Sequence, residues 1–87
     1  MVRRFSIEVA CKCGKALARY SKGGKGRLIK MFFSRILVDH AGIFLKEPPL
    51  ALGTDIHCPA CGKRVATTAL VSGKHAAKIN HGAVPQP

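Results

Sequence analysis

The chain has 87 residues, with fifteen Lys and Arg against four Asp and Glu and a formal charge of +11. This length holds one small domain and rules out a multidomain enzyme, while a hydrophobic content of 47 % rules out a polar disordered tail. The longest apolar stretches, such as Met31-Phe32-Phe33 and Ile36-Leu37-Val38, fall far short of the ~18 residues of a membrane span.

Taken in chain order, Phe5, Ile7 and Val9 alternate with Arg4, Ser6 and Glu8, a period of two that predicts a strand entering Cys11-Lys12-Cys13-Gly14. Ala16 to Tyr20 carries the chain back out. Lys22-Gly23-Gly24-Lys25-Gly26 is a turn signal, and Arg27 to Phe33 alternates in part, so a hairpin with the glycine loop at its tip is expected. A helix over 28–38 is the alternative, because Leu28, Phe32 and Ile36 are spaced by four. Asp39-His40-Ala41-Gly42 marks another turn, and Pro48-Pro49 excludes regular structure there. Thr54 to His57 leads into Cys58-Pro59-Ala60-Cys61, and Arg64 to Val71, rich in Val, Thr and Leu, leads out as a strand. Lys74 to His81 reads as a short helix, with Ser72 as its cap and Gly82 at its end. Residues 83–87 read as a loose tail. The expectation is a single domain over 1–82 with a 14–57 insertion that supplies three of the four Phe and most of the large aliphatic residues.

Cys11, Cys13, Cys58 and Cys61 form two close pairs, 44 residues apart. Glu8 interrupts any apolar signal region, so the chain reads as cytoplasmic, where paired cysteines hold metal more often than they form disulfides. Both pairs run into Cys-Gly-Lys, one variable residue, an aliphatic residue and Ala: Cys13-Gly14-Lys15-Ala16-Leu17-Ala18 and Cys61-Gly62-Lys63-Arg64-Val65-Ala66. The repeat has a physical reason. A knuckle aims two thiolates at one ion, the glycine supplies a left-handed turn, and the lysine sits beside an anionic centre. Four thiolates suit one tetrahedral structural Zn2+. Metal-free buried cysteine and a redox Cys-Lys-Cys pair are the competing readings, and neither accounts for the repeat. His57 adjoins Cys58, but neighbouring strand residues point to opposite faces; His40, His75 and His81 have no ligand spacing.

The second pair, Cys58-Pro59-Ala60-Cys61-Gly62-Lys63, resembles the Cys-Pro-x-Cys-Gly form of the zinc-ribbon superfamily, including its small bacterial members. The first pair has one residue between its cysteines where that family has two. The resemblance covers the knuckles and their flanks. It implies a small, mainly β, metal-stabilised domain: a zinc ribbon of two knuckles with antiparallel hairpins, to which the chain's own pattern adds the short C-terminal helix.

The charge is sorted along the chain. Residues 1–35 hold ten of the fifteen basic residues and one acid, Glu8, and the stretch from Val9 through Val38 has no acid at all. Such asymmetry points to a polyanion partner. Arg19, Tyr20, Lys22, Lys25, Arg27 and Lys30 surround the glycines, where backbone N–H groups and cations can follow a phosphate backbone and Tyr20 can stack on an unpaired base. With no Trp and one Tyr, a broad stacking platform is excluded, which favours phosphate and shape recognition. Small basic zinc ribbons occur in ribosomal and translation assemblies, so the resemblance implies structured RNA or a ribonucleoprotein as partner. A protein adaptor is the second reading, with Ile43-Phe44-Leu45 and Pro48-Pro49-Leu50 as the docking edge onto a nucleic-acid-processing complex. Four acids and an all-cysteine site give no basis for an enzyme or a small-molecule substrate.

Overall fold

Burial along the first strand rises toward the cysteines: Phe5 is 50 % exposed, Ile7 is half-buried and Val9 is 2 % exposed. The core therefore lies at the knuckle end of this strand. The computed structural model describes residues 4–23, 28–80 and 82–84. Over these residues the chain forms β1 (Arg4–Ala10), β2 (Ala16–Gly23), β3 (Lys30–Phe32), a 3-10 turn (Phe33–Arg35), β4 (Ile36–Val38), β5 (Asp55–His57), β6 (Arg64–Val71) and β7 (Lys74–Ile79). Two antiparallel sheets result, one in the order β1-β2-β4 and one in the order β3-β7-β6-β5. The fold is mainly β, and hairpins build both sheets.

Each cysteine pair sits at the tip of a hairpin. The β1–β2 register runs from Arg4↔Gly23 to Ala10↔Ala16, with the first pair in the connection. The β5–β6 register runs from Asp55↔Thr67 to His57↔Arg64, with the second pair in the connection. One core joins the sheets: Val9, Leu17, Ala18 and Tyr20 from the first pack in the same cluster as Met31, Ile56, Val65, Ala66 and Ala77 from the second.

Three sequence expectations are corrected. The C-terminal helix is instead strand β7, paired with β6 from Val71↔Lys74 to Ala66↔Ile79. Ser72 and Gly73 both have positive φ, 51° and 75°, which is the two-residue hairpin turn whose twist matches the flanking strands. Ala and Lys favour helix, but a segment this short gains little from helix formation alone. As a strand it gains a partner on each side, β6 and β3, and buries both Ala76 and Ala77 completely.

Second, strands β2 and β3 do not form a hairpin about the glycine loop. β2 lies between β1 and β4, whereas β3 pairs with β7 in the other sheet. The 28–38 helix is absent too: the segment forms strand β3, the 3-10 turn and strand β4 in its place. The 3-10 turn is a corner at which the chain leaves one sheet and enters the other. Residues 24–27 of the glycine loop lie outside the described residues.

Third, the start of the expected loose tail is fixed. Ala83 and Val84 are 0 % and 2 % exposed. Both backbone N–H groups donate to the Asn80 carbonyl at 3.0 and 3.1 Å, and the Lys12 N–H donates to the Ala83 carbonyl at 2.7 Å. This segment therefore closes over the first knuckle. Residues 85–87 lie outside the described residues.

Two polar devices organise the 14–57 segment. The Asp39 carboxylate accepts the backbone N–H groups of Ile43, Phe44 and Leu45 at 3.1, 2.8 and 2.9 Å, which seats Phe44 in the core at 1 % exposure. Buried Thr68 on β6 donates its hydroxyl to the Ala51 carbonyl at 2.6 Å and accepts the Thr54 N–H at 2.8 Å, fastening the chain that enters β5.

Candidate metal centre

The two knuckles are built alike. In the first, the Cys11 N–H donates to the Lys15 carbonyl at 2.9 Å and the Gly14 N–H to the Cys11 carbonyl at 2.9 Å. In the second, the Cys58 N–H donates to the Lys63 carbonyl at 2.9 Å and the Gly62 N–H to the Cys58 carbonyl at 2.8 Å. The residue missing between Cys11 and Cys13 is absorbed inside the turn, and the closing bonds are unchanged. Gly14 and Gly62 have φ of +97° and +77°, and an added Cβ would meet nothing within 4 Å at either place. Backbone conformation, not space, is what selects glycine there.

This arrangement brings all four sulfurs together. Cys11 Sγ lies 3.5 Å from Cys61 Sγ, Cys13 Sγ lies 3.6 Å from Cys58 Sγ, and all four fall within 4.8 Å of one another. Each short contact joins the first cysteine of one knuckle to the second cysteine of the other. Burial follows the same exchange: Cys11 and Cys58 are buried, Cys13 and Cys61 exposed. The site has pseudo-twofold symmetry, and the Cys-Gly-Lys repeat is its trace in the sequence. All four cysteines are free thiols.

The donor set fits a metal ion. A tetrahedral ion with sulfur at about 2.3 Å requires sulfur–sulfur edges of about 3.8 Å, close to both cross-knuckle contacts. Without a cation the sulfurs compete for protons. The Cys13 N–H favours the Cys11 thiolate, but burial and the thiols of Cys61, Cys13 and Cys58 outweigh it and push the Cys11 thiol up to about 12. Burial also opposes ionisation of Cys58, yet the N–H groups of Cys61 and Ala60 and the thiols of Cys13 and Cys11 bring it down to about 7. A divalent cation would relieve this competition by taking all four as thiolates. Among the described residues the cluster contains cysteines only. His57 is exposed on β5 outside it, and His40 Nε2 sits 3.1 Å from Glu8 Oε2.

The residues expected to touch nucleic acid divide into groups. Arg19 Nε donates to Glu8 Oε1 at 2.7 Å, on the face of β2 opposite Tyr20. Tyr20 is 4 % exposed and its hydroxyl accepts the Phe32 N–H at 3.0 Å, so its ring is closed to a base. The Lys22 ammonium lies 5.8 Å from the Phe5 ring centroid. Tyr20, Lys22 and Lys30 meet at one cleft with Phe32 and Arg35, whereas Lys25 and Arg27 lie outside the described residues. Sequence reasoning missed Arg35 as a member of this group. Its signal was the acid-free run that ends three residues after it, but only the corner between β3 and β4 turns it toward Lys30.

Among the described residues no helix is long and apolar enough to cross a membrane. No protein-family model matches the chain, and no curated protein or solved structure matches it at a significant level.

Proposed function

We propose that the chain is a non-catalytic zinc protein of zinc-ribbon type, in which one Zn2+ held by Cys11, Cys13, Cys58 and Cys61 fixes a frame for binding nucleic acid, with structured RNA or a ribonucleoprotein as the favoured partner. The observation that carries the metal is the convergence of four sulfurs from two hairpin tips. Zinc is favoured over harder ions because every donor is a thiolate and the edges suit a tetrahedron. Lys12, Lys15 and Lys63 are exposed beside the cluster, where they offset the net charge of minus two of a four-thiolate zinc.

The nucleic-acid reading rests on the sorting of charge. Ten of fifteen cations lie in residues 1–35, and among the described ones Lys22, Lys30 and Arg35 flank a single cleft. Four to six phosphate contacts on a single strand give a slope of log K against log salt of roughly −3 to −4. Fluorescence anisotropy of the zinc-loaded protein with a labelled single-stranded RNA, across a salt series, measures this slope. Binding that is flat with salt would reject the reading.

The docking edge expected at Ile43-Phe44-Leu45 is not free, since Phe44 is 1 % exposed in the core; the adaptor alternative draws instead on edge strand β4, where Leu37 and Val38 are 55 % and 45 % exposed. Since Trp is absent and Tyr20 is the single Tyr, retained nucleic acid would dominate the 260/280 nm ratio of a low-salt, nuclease-free preparation. A ratio typical of protein alone favours the adaptor.

A further inference from the structure

A cleft of about 170 Å³ opens at the seam between the two sheets, and its lining includes Tyr20, Lys22, Lys30, Phe32 and Arg35. Its wall is fixed by a contact between the sheets. β3 is an edge strand, and its Phe32 N–H, pointing away from β7, is taken by the Tyr20 hydroxyl of β2 at 3.0 Å. The Arg35 guanidinium lies over the Phe32 ring, 5.6 Å from its centroid, a cation–π contact that holds the charge at the cleft. Among the described residues no carboxylate lines the cleft, and the ion pairs involve Arg19, His40 and Arg64, not Lys30 or Arg35. Two cations without acidic partners and a third beside them thus converge on one small, partly apolar recess.

We infer that this cleft is a phosphate-binding site that holds one phosphate group of a nucleic-acid strand between Lys30 and Arg35, with Lys22 at its rim. Size argues for a group rather than a cofactor. Sites for drug-sized ligands begin near ~300 Å³, whereas this cleft is about 170 Å³. Arg35 supplies planar donors matched to phosphate oxygens, and Lys30 supplies a point charge. The inference takes its source of phosphate from the nucleic-acid reading above; the anion chemistry of the cleft stands by itself. The phosphate can be an internal phosphodiester or a terminal phosphomonoester, and both offer the same oxygens.

The full zinc-loaded chain, labelled with 15N, is titrated with inorganic phosphate and, at equal ionic strength, with chloride. Phosphate should move the backbone amides of Lys30, Phe32 and Arg35 saturably, and chloride should not. Equal shifts with both anions, no shift, or shifts confined to Lys12, Lys15 and Lys63 would overturn the site. In the second arm, K30Q/R35Q should weaken binding of a 5′-hydroxyl oligoribonucleotide by about tenfold or more and flatten the salt slope by about 0.7. K74Q, at the start of β7 and outside the cleft lining, should stay within about twofold of wild type. Zinc content and circular dichroism confirm that each variant is folded. An oligonucleotide with a 5′-phosphate that binds about tenfold tighter only when Arg35 is present assigns the site to a terminal phosphate; equal binding assigns it to the internal backbone. If K30Q/R35Q binds both the 5′-hydroxyl and the 5′-phosphate RNA like wild type, the cleft is rejected while RNA binding stands. If phosphate fills the cleft but RNA does not bind, the nucleic-acid reading alone fails.

Discussion

At the scale of single residues, the two knuckle glycines and Asp39 separate two kinds of constraint. Gly62 has room for a side chain but a φ of +77°, so Gly62→Ala should cost about 1–2 kcal/mol from backbone strain alone. Urea unfolding of the zinc-loaded variant measures this, and an unchanged midpoint would remove conformation as the reason for glycine. Asp39 works through hydrogen bonds. Its carboxylate accepts three backbone N–H groups of the loop that seats Phe44. Asp39→Ala leaves those donors without it and should cost about 2–3 kcal/mol, whereas Asp39→Asn keeps one carbonyl oxygen and should lose less. Equal losses would mean that the one oxygen Asn keeps contributes nothing and that the charge and the second oxygen carry the whole effect. The glycines were legible in the sequence because they belong to a repeat. The reach of Asp39 was not, because Asp39-His40-Ala41-Gly42 reads as a local turn whether or not its carboxylate holds the N–H groups of Ile43, Phe44 and Leu45.

At the scale of elements, legibility followed the range of the interactions. β1, β5 and β6 were readable from alternation and β-branched content, and each leads directly into or out of a cysteine pair. β7 was misread because Ala76 and Ala77 are neutral in pattern. What makes them a strand is the pair of neighbours, β6 and β3, and β3 comes from more than forty residues earlier in the chain. The β2–β3 crossing was hidden for the same reason: a Gly-rich loop between two apolar runs looks like a hairpin, and nothing local says that the second run changes sheet. The four metal ligands were readable from spacing, but the cleft needs the β3–β4 corner to exist first. The turn offers a test at this scale. Ser72 occupies a positive-φ position that Asn tolerates better, and Asn-Gly is the favoured pair for this two-residue turn. Ser72→Asn should therefore stabilise the protein by a few tenths to about 1 kcal/mol, read as a rise in Tm, while a fall in Tm would mean the hairpin turn is not limiting.

At the scale of the whole molecule, the metal site and the shared core hold the same two sheets together from different sides. Two-stranded hairpins are marginal alone, and here the tips of two hairpins converge on one four-sulfur cluster. A structural zinc contributes on the order of 10–16 kcal/mol of apparent folding free energy, comparable with the roughly 5–15 kcal/mol that a domain has in total. Excess chelator should therefore abolish the cooperative thermal transition, and zinc should restore it; an unchanged melt and circular dichroism after complete metal removal would show that the core suffices. The proton balance sets the pH dependence. The metal-bound state carries fewer protons than the metal-free state, so metal-linked stability rises with pH and is lost as pH falls. The chelated chain has lost its fold, and thiols of an unfolded chain titrate near ~8.5, so they hold their protons at neutral pH and surrender them when zinc takes them as thiolates. Zinc affinity should thus fall steadily as pH drops below that range. Calorimetric titrations in two buffers of different ionisation enthalpy count the released protons directly. A count well below about four protons at pH 6 would contradict a site in which all four sulfurs bind the metal as thiolates.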